Sequence, residues 1–395
     1  MRAPYDGVVL AAPFTLARRR HAEGSTVSLA AAALAGVLRA AGLRHALLDG
    51  LSLASHSLGG ETVATVADQL GLSCRYLDQP MLGGASAIAA VRRAARMVAA
   101  GDIDTVAIIA ADRGEGPAAL PDFTLDALAP YGGPGALVPL ALLTQNYMRR
   151  FGATRADCAK ICLAARENAA GVPHALLGAT PLTEADYEDA PMLADPLVTH
   201  DRPQPVAGAA GCLLMREIDA VAGGLPYARI LATIERHGAY RGDLVQTRGG
   251  WAREIGELWS MAGLRPGAVD VVETHDACPI LSMIQFEDLG FCAKGDGPAF
   301  VREHGLTRTG SFPHNTAGGL LAGGEPGAAA GHYGLVEALR QVTGTAAEGD
   351  ESAPVSWQVP GASVGLVSAF GVLPYDRGLA ACAAILAGRG AEAAP

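Results

Sequence analysis

Apolar runs rich in β-branched residues alternate along this chain with alanine-rich stretches at helical spacing. GVVLAA (7–12) reads as a first strand and precedes a helix at about 26–41. A second helical stretch falls near 61–70, a glycine turn at 83–84, and a helix from about 85 to 100. TVAIIAA (105–111) carries its β-branched residues without alternation, as a strand covered on both faces does. This β-α-α-β-α-β order predicts a layered α/β fold with helices over a sheet.

Residues 112–200 break that rhythm. They are rich in Pro, Gly and Asp, hold helices near 137–150 and 155–169, and read as a large excursion that shapes a substrate pocket and a subunit contact. Phe123, Tyr131, Tyr147 and Phe151 are candidate lining residues there. GAAGCLLM (208–215) returns as a strand. The second half then repeats the grammar: YARILATIERHG (227–238) as strand and turn, a helix at 249–263, VDVVETHD (269–276) as a strand ending in polar residues, and a helix at about 279–289. A glycine-dense segment, 311–331, precedes a helix at 329–343 that stops at Thr343-Gly344. VSWQV (355–359) and SVGLVSAFGVLP (363–374) read as two closing strands. Two halves of similar order suggest an internal duplication, divided as 1–225 and 226–395.

At 395 residues, half of them apolar and 18% charged, the chain can bury a sizeable core. Its net charge of −10 has no offsetting basic block; the RRR run at 18–20 reads as a solvated helix flank. Nucleic acid and membrane surfaces are therefore not expected as partners. No apolar stretch reaches transmembrane length, and the N-terminus reads as a strand and not as a leader. The seven cysteines are odd in number and form no CxxC pair, and no His shows metal-ligand spacing. These features predict a reduced, cytoplasmic protein with no metal site.

Five segments, in order, carry a family resemblance: STVSLAAAALAGVLRAAGL with LLDGL; GGASAI; DAPMLADPL; ETHDACPI with FEDLGFCAKGDG; and HNTAGGLLAGGEPGAAAG with EALRQVTG. In these the chain resembles the thiolase superfamily over nearly its full length, nearest to the sterol-carrier-protein-X thiolases and the thiolase-like steroid side-chain aldolases. The resemblance implies an α/β thiolase fold: two similar βαβαβαββ halves in a five-layered αβαβα sandwich with an inserted loop region. It also implies a homodimer and buried helix N-termini aimed at the site, where unpaired N–H groups suit a thioester oxygen becoming an enolate.

Thiolases need a nucleophilic Cys, a His in a Gly-His-Pro turn and a second Cys near the C-terminus, because the acyl group passes through a covalent thioester. Here the nucleophile position falls on Met81, ahead of Gly83 and Gly84. The Gly-His-Pro turn falls on Gly324-Glu325-Pro326, and no Cys occurs between 293 and 381. Cys74 reads as a core thiol. His275-Asp276 keeps the His-Asp signature of the sterol-carrier thiolases, where the steroid aldolases tend to have Tyr. His275 is thus either a site group or a capped strand end, and Glu325 either a loop carboxylate or an acid–base group in a dry pocket.

His275 and Glu325 are the expected catalytic pair. Met81, Gly83, Gly84, Asp276, His314, Asn315 and Gly324 are the expected pocket. Asn315 is expected to brace the turn, and Gly318, Gly319, Gly323 and Gly324 to allow positive φ or close approach. The chemistry expected is retro-aldol cleavage, or its reverse, on a β-hydroxyacyl-CoA-type thioester. CoA enters as part of the substrate and no cofactor is held tightly. By resemblance, a small OB-fold zinc-ribbon protein is the expected partner. An acyltransferase or Claisen-type enzyme, and a non-catalytic subunit supporting a partner enzyme, are the alternatives.

Overall fold

The computed structural model describes residues 5–22, 24–114, 130, 137–348, 355–371 and 378–391. Phe123 and Tyr131 lie outside the described residues. The strands are β1 (Val8–Thr15), β2 (Gly50–Ala54), β3 (Tyr76–Asp78), β4 (Thr105–Asp112), β5 (Met192–Ala194), β6 (Leu197–Val198), β7 (Gly208–Arg216), β8 (Tyr227–His237), β9 (Val271–Glu273), β10 (Ala347–Glu348), β11 (Val355–Ser356), β12 (Val364–Gly371) and β13 (Ala380–Gly388). The helices are α1 (Thr26–Ala41), α2 (Val63–Gln69), α3 (Ser86–Ala100), α4 (Leu137–Phe151), α5 (Arg155–Ala169), α6 (Glu184–Glu188), α7 (Glu217–Ala222), α8 (Trp251–Ala262), α9 (Pro279–Asp288), α10 (Gly297–Glu303) and α11 (Ala330–Thr343).

Nine strands form one sheet in the order β3-β2-β4-β7-β1-β8-β13-β12-β9, and the order is mirrored about the β1–β8 contact. Moving outward, β1–β7 and β7–β4 are antiparallel, then β4–β2 and β2–β3 parallel. On the other side β8–β13 and β13–β12 are antiparallel and β12–β9 parallel, and Val272 makes one further parallel bridge to His314. The fifth strand of the second half is thus reduced to a single bridge.

Five layers follow from the packing. Helices α1 and α2 cover the outer face of the first half. Helices α3 and α11 sit between the halves and touch strands of both. Helices α5, α8 and α9 close the outer face of the second half. Alanine makes this possible, because the two central helices bury Ala87, Ala89, Ala90, Ala94 and Ala338 almost fully against strands on both sides. Burying small side chains lets the two halves of the sheet approach one helical layer at interior packing density.

Three expectations are corrected. VDVVETHD stops being a strand at Glu273: the Thr274 N–H turns to Asn315 Oδ1 (2.8 Å) and the His275 N–H to Gln285 Oε1 (3.2 Å), leaving the ladder. VSWQV contributes only β11, which pairs with β10 outside the main sheet, and Trp357 turns inward to donate to Glu337 (3.1 Å). The RRR run is not a helix flank; Arg18 is buried and Arg19 pairs with Ala207. Strand β13, AACAAILAG, has low strand propensity but is buried along its whole length between β8 and β12. Of the excursion, α4 and α5 pack on the second half's outer layer. Tyr147 is buried there with its hydroxyl on Glu287, and Phe151 packs edge-on against it.

Candidate active site

The end of β9 and the glycine-dense turn build one buried polar cavity, lined by Arg18, Glu273, His275, Asp276, Tyr333 and Ser368 among others. Gln285 fixes the His275 backbone from both sides: its Oε1 accepts the His275 N–H and its Nε2 donates to the His275 carbonyl (2.9 Å). Ser368 in turn donates to Gln285 Oε1 (2.7 Å). The imidazole stays clear of this clamp, and no hydrogen bond among the described residues engages its ring nitrogens. Burial alone lowers it to about 4, so the ring is neutral at ordinary pH.

Gly84 lies against that ring. A methyl there would come within 2.7 Å of His275 Cε1 and Nδ1, and one on Gly331 within 1.8 Å of the Gly84 carbonyl oxygen. The turns that open α3 and α11 therefore meet beside His275, and their glycines are required by close approach. Helix N-termini carry unpaired N–H groups and positive potential.

Carboxylates from both halves hold the glycine-dense turn. Asp276, with no exposed surface, accepts the Leu320 N–H (2.8 Å) and the Leu321 N–H (3.4 Å). Desolvation still pushes it up to about 6 against these bonds. From the first half, Asp112 Oδ2 accepts the Ala328 N–H (2.6 Å), and its Oδ1 accepts from the Ser55 hydroxyl and the His56 and Ser57 N–H groups (2.8–2.9 Å). Glu325 sits between these anchors, its backbone bonded to Gln204 and Val206 (2.8 and 3.2 Å). Part of its surface stays open, yet protein atoms crowd the carboxyl. Desolvation first, then the nearby Asp276, raise it to about 7, with Arg202 opposing.

Arg18 is a site residue that the sequence pattern does not announce. Its guanidinium lies over the Tyr333 ring (4.0 Å) and donates to the Gly319 carbonyl (2.9 Å). Burial lowers its pKa, while Tyr333 and Asp276 oppose that shift. Gly323 is open to Arg18 rather than to a left-handed backbone: a methyl there would lie 1.3 Å from Arg18 Nη1. Gly318, Gly319 and Gly324 do take positive φ (89°, 57° and 92°). Nothing in the RRR run marks its first residue as buried; the only signal is that an apolar strand leads straight into it.

The other expected residues divide. Asn315 braces the turn through Thr274 and takes φ 48°. Gly83 opens the turn before α3, and Gly324 packs against Val206. His314 does not line the cavity: its Nε2 bonds the Thr274 hydroxyl (2.8 Å), its ring packs on Phe286, and burial lowers it to about 3. Met81 points out, with 60% of its surface exposed beside the edge strand β3. The backbone leaves β3 along the sheet edge and turns inward only at Gly83, so the residue two places earlier faces outward.

All seven cysteines are free, and burial raises every one of their pKa values; Cys278, three residues past His275, goes to about 12. Cys74 is half-buried. Thiolate is the nucleophilic form, so none is set up for acyl transfer. Among the described residues no cluster of His, Cys, Asp or Glu could hold a metal ion, and no helix is long and apolar enough to cross a membrane.

Fold and site together define a thiolase-fold protein whose cysteines are held as thiols; His275 lines its polar cavity, while Glu325 is not among the lining residues. The sequence pattern of the thiolase C-terminal domain-like family matches residues 241–382. A 17-hydroxy-3-oxo-4-pregnene-20-carboxyl-CoA lyase of Mycobacterium tuberculosis is 28% identical over 81% of this chain and 87% of its own. A steroid side-chain-cleaving aldolase of Thermomonospora curvata is 27% identical over 81% and 86%. The solved Ltp2-ChsH2(DUF35) aldolase superposes with a TM-score of 0.82 at 24% identity, covering 97% of this chain and 98% of that one. A monomeric SCP2-thiolase-like protein of Mycobacterium smegmatis gives 0.72 at 19% identity, over 100% and 79%. In sequence and fold the chain is thus similar to the thiolase superfamily and, within it, to the side-chain aldolases.

Proposed function

We propose that this protein is a retro-aldol C–C lyase acting on a β-hydroxyacyl-CoA-type thioester without an acyl-enzyme. The observation that carries the reading is a carboxyl raised to about 7 at the thiolase histidine position, in a protein whose thiols are all held protonated. The two relatives named as lyase and aldolase support it.

In this reading ionised Glu325 takes the β-hydroxyl proton. The Cα–Cβ electron pair moves into the thioester as an enolate while the β-carbon becomes a carbonyl. Neutral His275 donates its N–H to the enolate oxygen, beside the helix N-termini at Gly84 and Gly331. Protonated Glu325 returns the proton to Cα, which closes the balance. Condensation is the same path reversed. Asp276, Asp112 and Arg18 position the turn that carries Glu325.

CoA belongs to the substrate, and no tightly held cofactor is needed. The Ltp2-ChsH2(DUF35) aldolase joins two components by name, which supports a partner protein here; we take it to be a small OB-fold zinc-ribbon subunit. Strand β3 is a sheet edge with Leu77 and Met81 exposed along it, which supports a homodimer formed there. Seven free thiols support a cytoplasmic setting.

The test is incubation with β-hydroxyacyl-CoAs, with and without an OB-fold partner. A shortened acyl-CoA plus a carbonyl product is expected. Acylation of any cysteine by an acyl-CoA turns the reading to acyl transfer. A protein that turns over nothing, yet is required by an associated enzyme, is a supporting subunit instead.

A further inference from the structure

Two residues before His275, the end of β9 meets the glycine-dense turn and α11 at a single hydroxyl. Thr316 Oγ1, fully buried, lies 2.8 Å from Glu273 Oε1 and 2.7 Å from Glu337 Oε1. A hydroxyl has one hydrogen, so it donates to one of these oxygens and must accept at the other. Accepting requires a hydrogen on that carboxyl. The two contacts together therefore need one carboxylic acid and one carboxylate.

The remaining donors decide between them. Glu337 accepts from the Gln341 amide (2.8 Å) and from the Trp357 indole, which reaches both of its oxygens (3.1 Å). Besides the hydroxyl, Glu273 receives one bond among the described residues, from the Thr316 backbone N–H (3.0 Å). Hydrogen bonds to a charged form favour that form, so Glu337 is the carboxylate and Glu273 the acid. Burial first, then the Glu337 charge, push Glu273 well above the usual carboxylate range; the Thr316 bonds oppose this and Asp276 adds to it.

Charged and titratable groups face the pair from every side. Arg18 is the cation of the cavity lining, engaged by the Gly319 carbonyl and the Tyr333 ring. Arg308 and Arg340 stand outside that lining, donating to the Ala170 carbonyl (3.2 Å) and the Thr15 hydroxyl (2.9 Å). His174 and His275 are both lowered by burial and neutral, and Tyr333 is raised to about 12.

We infer that Glu273 and Glu337 share one proton through Thr316, and that Glu273, as the acid, positions the strand end bearing His275 against the turn bearing Glu325. The proton is independent of the lyase reading; its effect on the rate rests on that reading. Thr316 follows Asn315, which takes the Thr274 N–H (2.8 Å), and Glu337 stands on α11. One proton thus joins three segments at the base of the site. When it leaves, two buried anions face a hydroxyl that can satisfy only one of them, and the strand end and the turn are pushed apart.

Infrared difference spectroscopy reads the proton directly, through the carboxylic acid C=O stretch. In the parent protein an acid band should persist after Asp276 and Glu325, at about 6 and about 7, have ionised. The difference between parent and Glu273→Gln should contain that band. Glu337→Gln should keep the band but lose it at a lower pH, because the neighbouring charge has gone. A difference with no acid band, or a band removed by Glu337→Gln and kept by Glu273→Gln, overturns the inference.

Turnover reads the positioning. Glu273→Ala should lower kcat by about tenfold to a hundredfold, the scale of a small misplacement. Glu273→Gln, neutral and able to donate to Thr316, should recover most of that loss. The parent rate should also fall on the alkaline side as the acid ionises, and Glu273→Gln should lose that limb. Equal losses in the two variants with the alkaline limb intact remove the positioning role. If no thioester is cleaved but the acid band behaves as stated, the lyase reading falls and the shared proton stands.

Discussion

Two strands in mirrored positions end alike in sequence and differently in chemistry. Strand β2 runs out through Ala54-Ser55-His56, and strand β9 through Glu273-Thr274-His275. Each is the fourth strand outward from the β1–β8 contact, and each ends in a hydroxyl residue followed by a histidine. After β2, Asp112 gathers the Ser55 hydroxyl and the His56 and Ser57 N–H groups, and the His56 ring is left exposed. After β9, Gln285 and Asn315 take the backbone, and the ring turns inward against Gly84, 8% exposed. The same local sequence gives a surface histidine in one half and a desolvated one in the other. What differs is the covering: the glycine-dense turn folds over the second strand end, and Asp112 of the first half helps hold that turn in place.

The largest expected effect breaks the comparison at that turn. Glu325→Gln keeps the shape and removes the proposed base, so kcat should fall by about 10²–10⁴, the usual worth of a positioned acid–base group. Single-turnover assays with thioester binding measured in parallel check it; a fall under about tenfold would move the base elsewhere.

Next comes the histidine pair itself. His275→Ala should lower kcat by about 10²–10³, as loss of an oxyanion donor does. His56→Ala should leave kcat within about twofold, since surface changes away from such features are small. Equal losses in the two variants would show that burial is not what separates the two strand ends.

How much of this difference is legible in the sequence can be argued residue by residue. The strands rich in β-branched residues, and helices closed by Gly42, Gly101 and Gly344, follow from local pattern, because those signals act within a few residues. His275 and Glu325 stand out only through family motifs, and nothing in ETHD or GEP alone distinguishes them from ASHS. Arg18, Tyr333 and Asp112 escape a sequence reading because their roles come from chain segments about 200 to 320 residues away: Tyr333 donates to the Leu16 carbonyl, Asp112 caps Ala328, and Arg18 reaches Gly319. Met81 follows from register, and register does not say which way a side chain faces at a sheet edge. Strand β13 is hidden by its alanines, whose strand character comes from burial between two neighbours.

Asp112→Ala sharpens the comparison through stability. It strips partners from three backbone N–H groups and one buried hydroxyl at once. Unpaired buried donors cost about 1–3 kcal/mol each before relaxation, so a net loss of about 3 kcal/mol is expected in urea unfolding. Activity should fall further than stability explains, because the Ala328 N–H tethers the turn bearing Glu325. Asp112→Asn, which keeps an acceptor, should recover most of the stability.

The smallest effect is a pH dependence that should belong to the second strand end alone. Glu325 is raised from the usual carboxylate range to about 7 and Asp276 to about 6, with desolvation the first cause of both. A carboxyl raised in the folded state binds its proton more tightly there than when unfolded. Stability is therefore full below about pH 4, where both states are protonated, and declines as pH rises toward 7. The shift at Glu325 corresponds to about 2 kcal/mol once its partly open side is discounted. Glu325→Gln should flatten that part of the curve. The rate should run the other way, rising through about pH 7 as Glu325 ionises, while His275, at about 4, stays neutral throughout. Opposed slopes for stability and kcat/KM, both removed by one substitution, are what a base in a dry turn produces. A rate profile that survives Glu325→Gln would assign the titration to another group, with Asp276 the next to test.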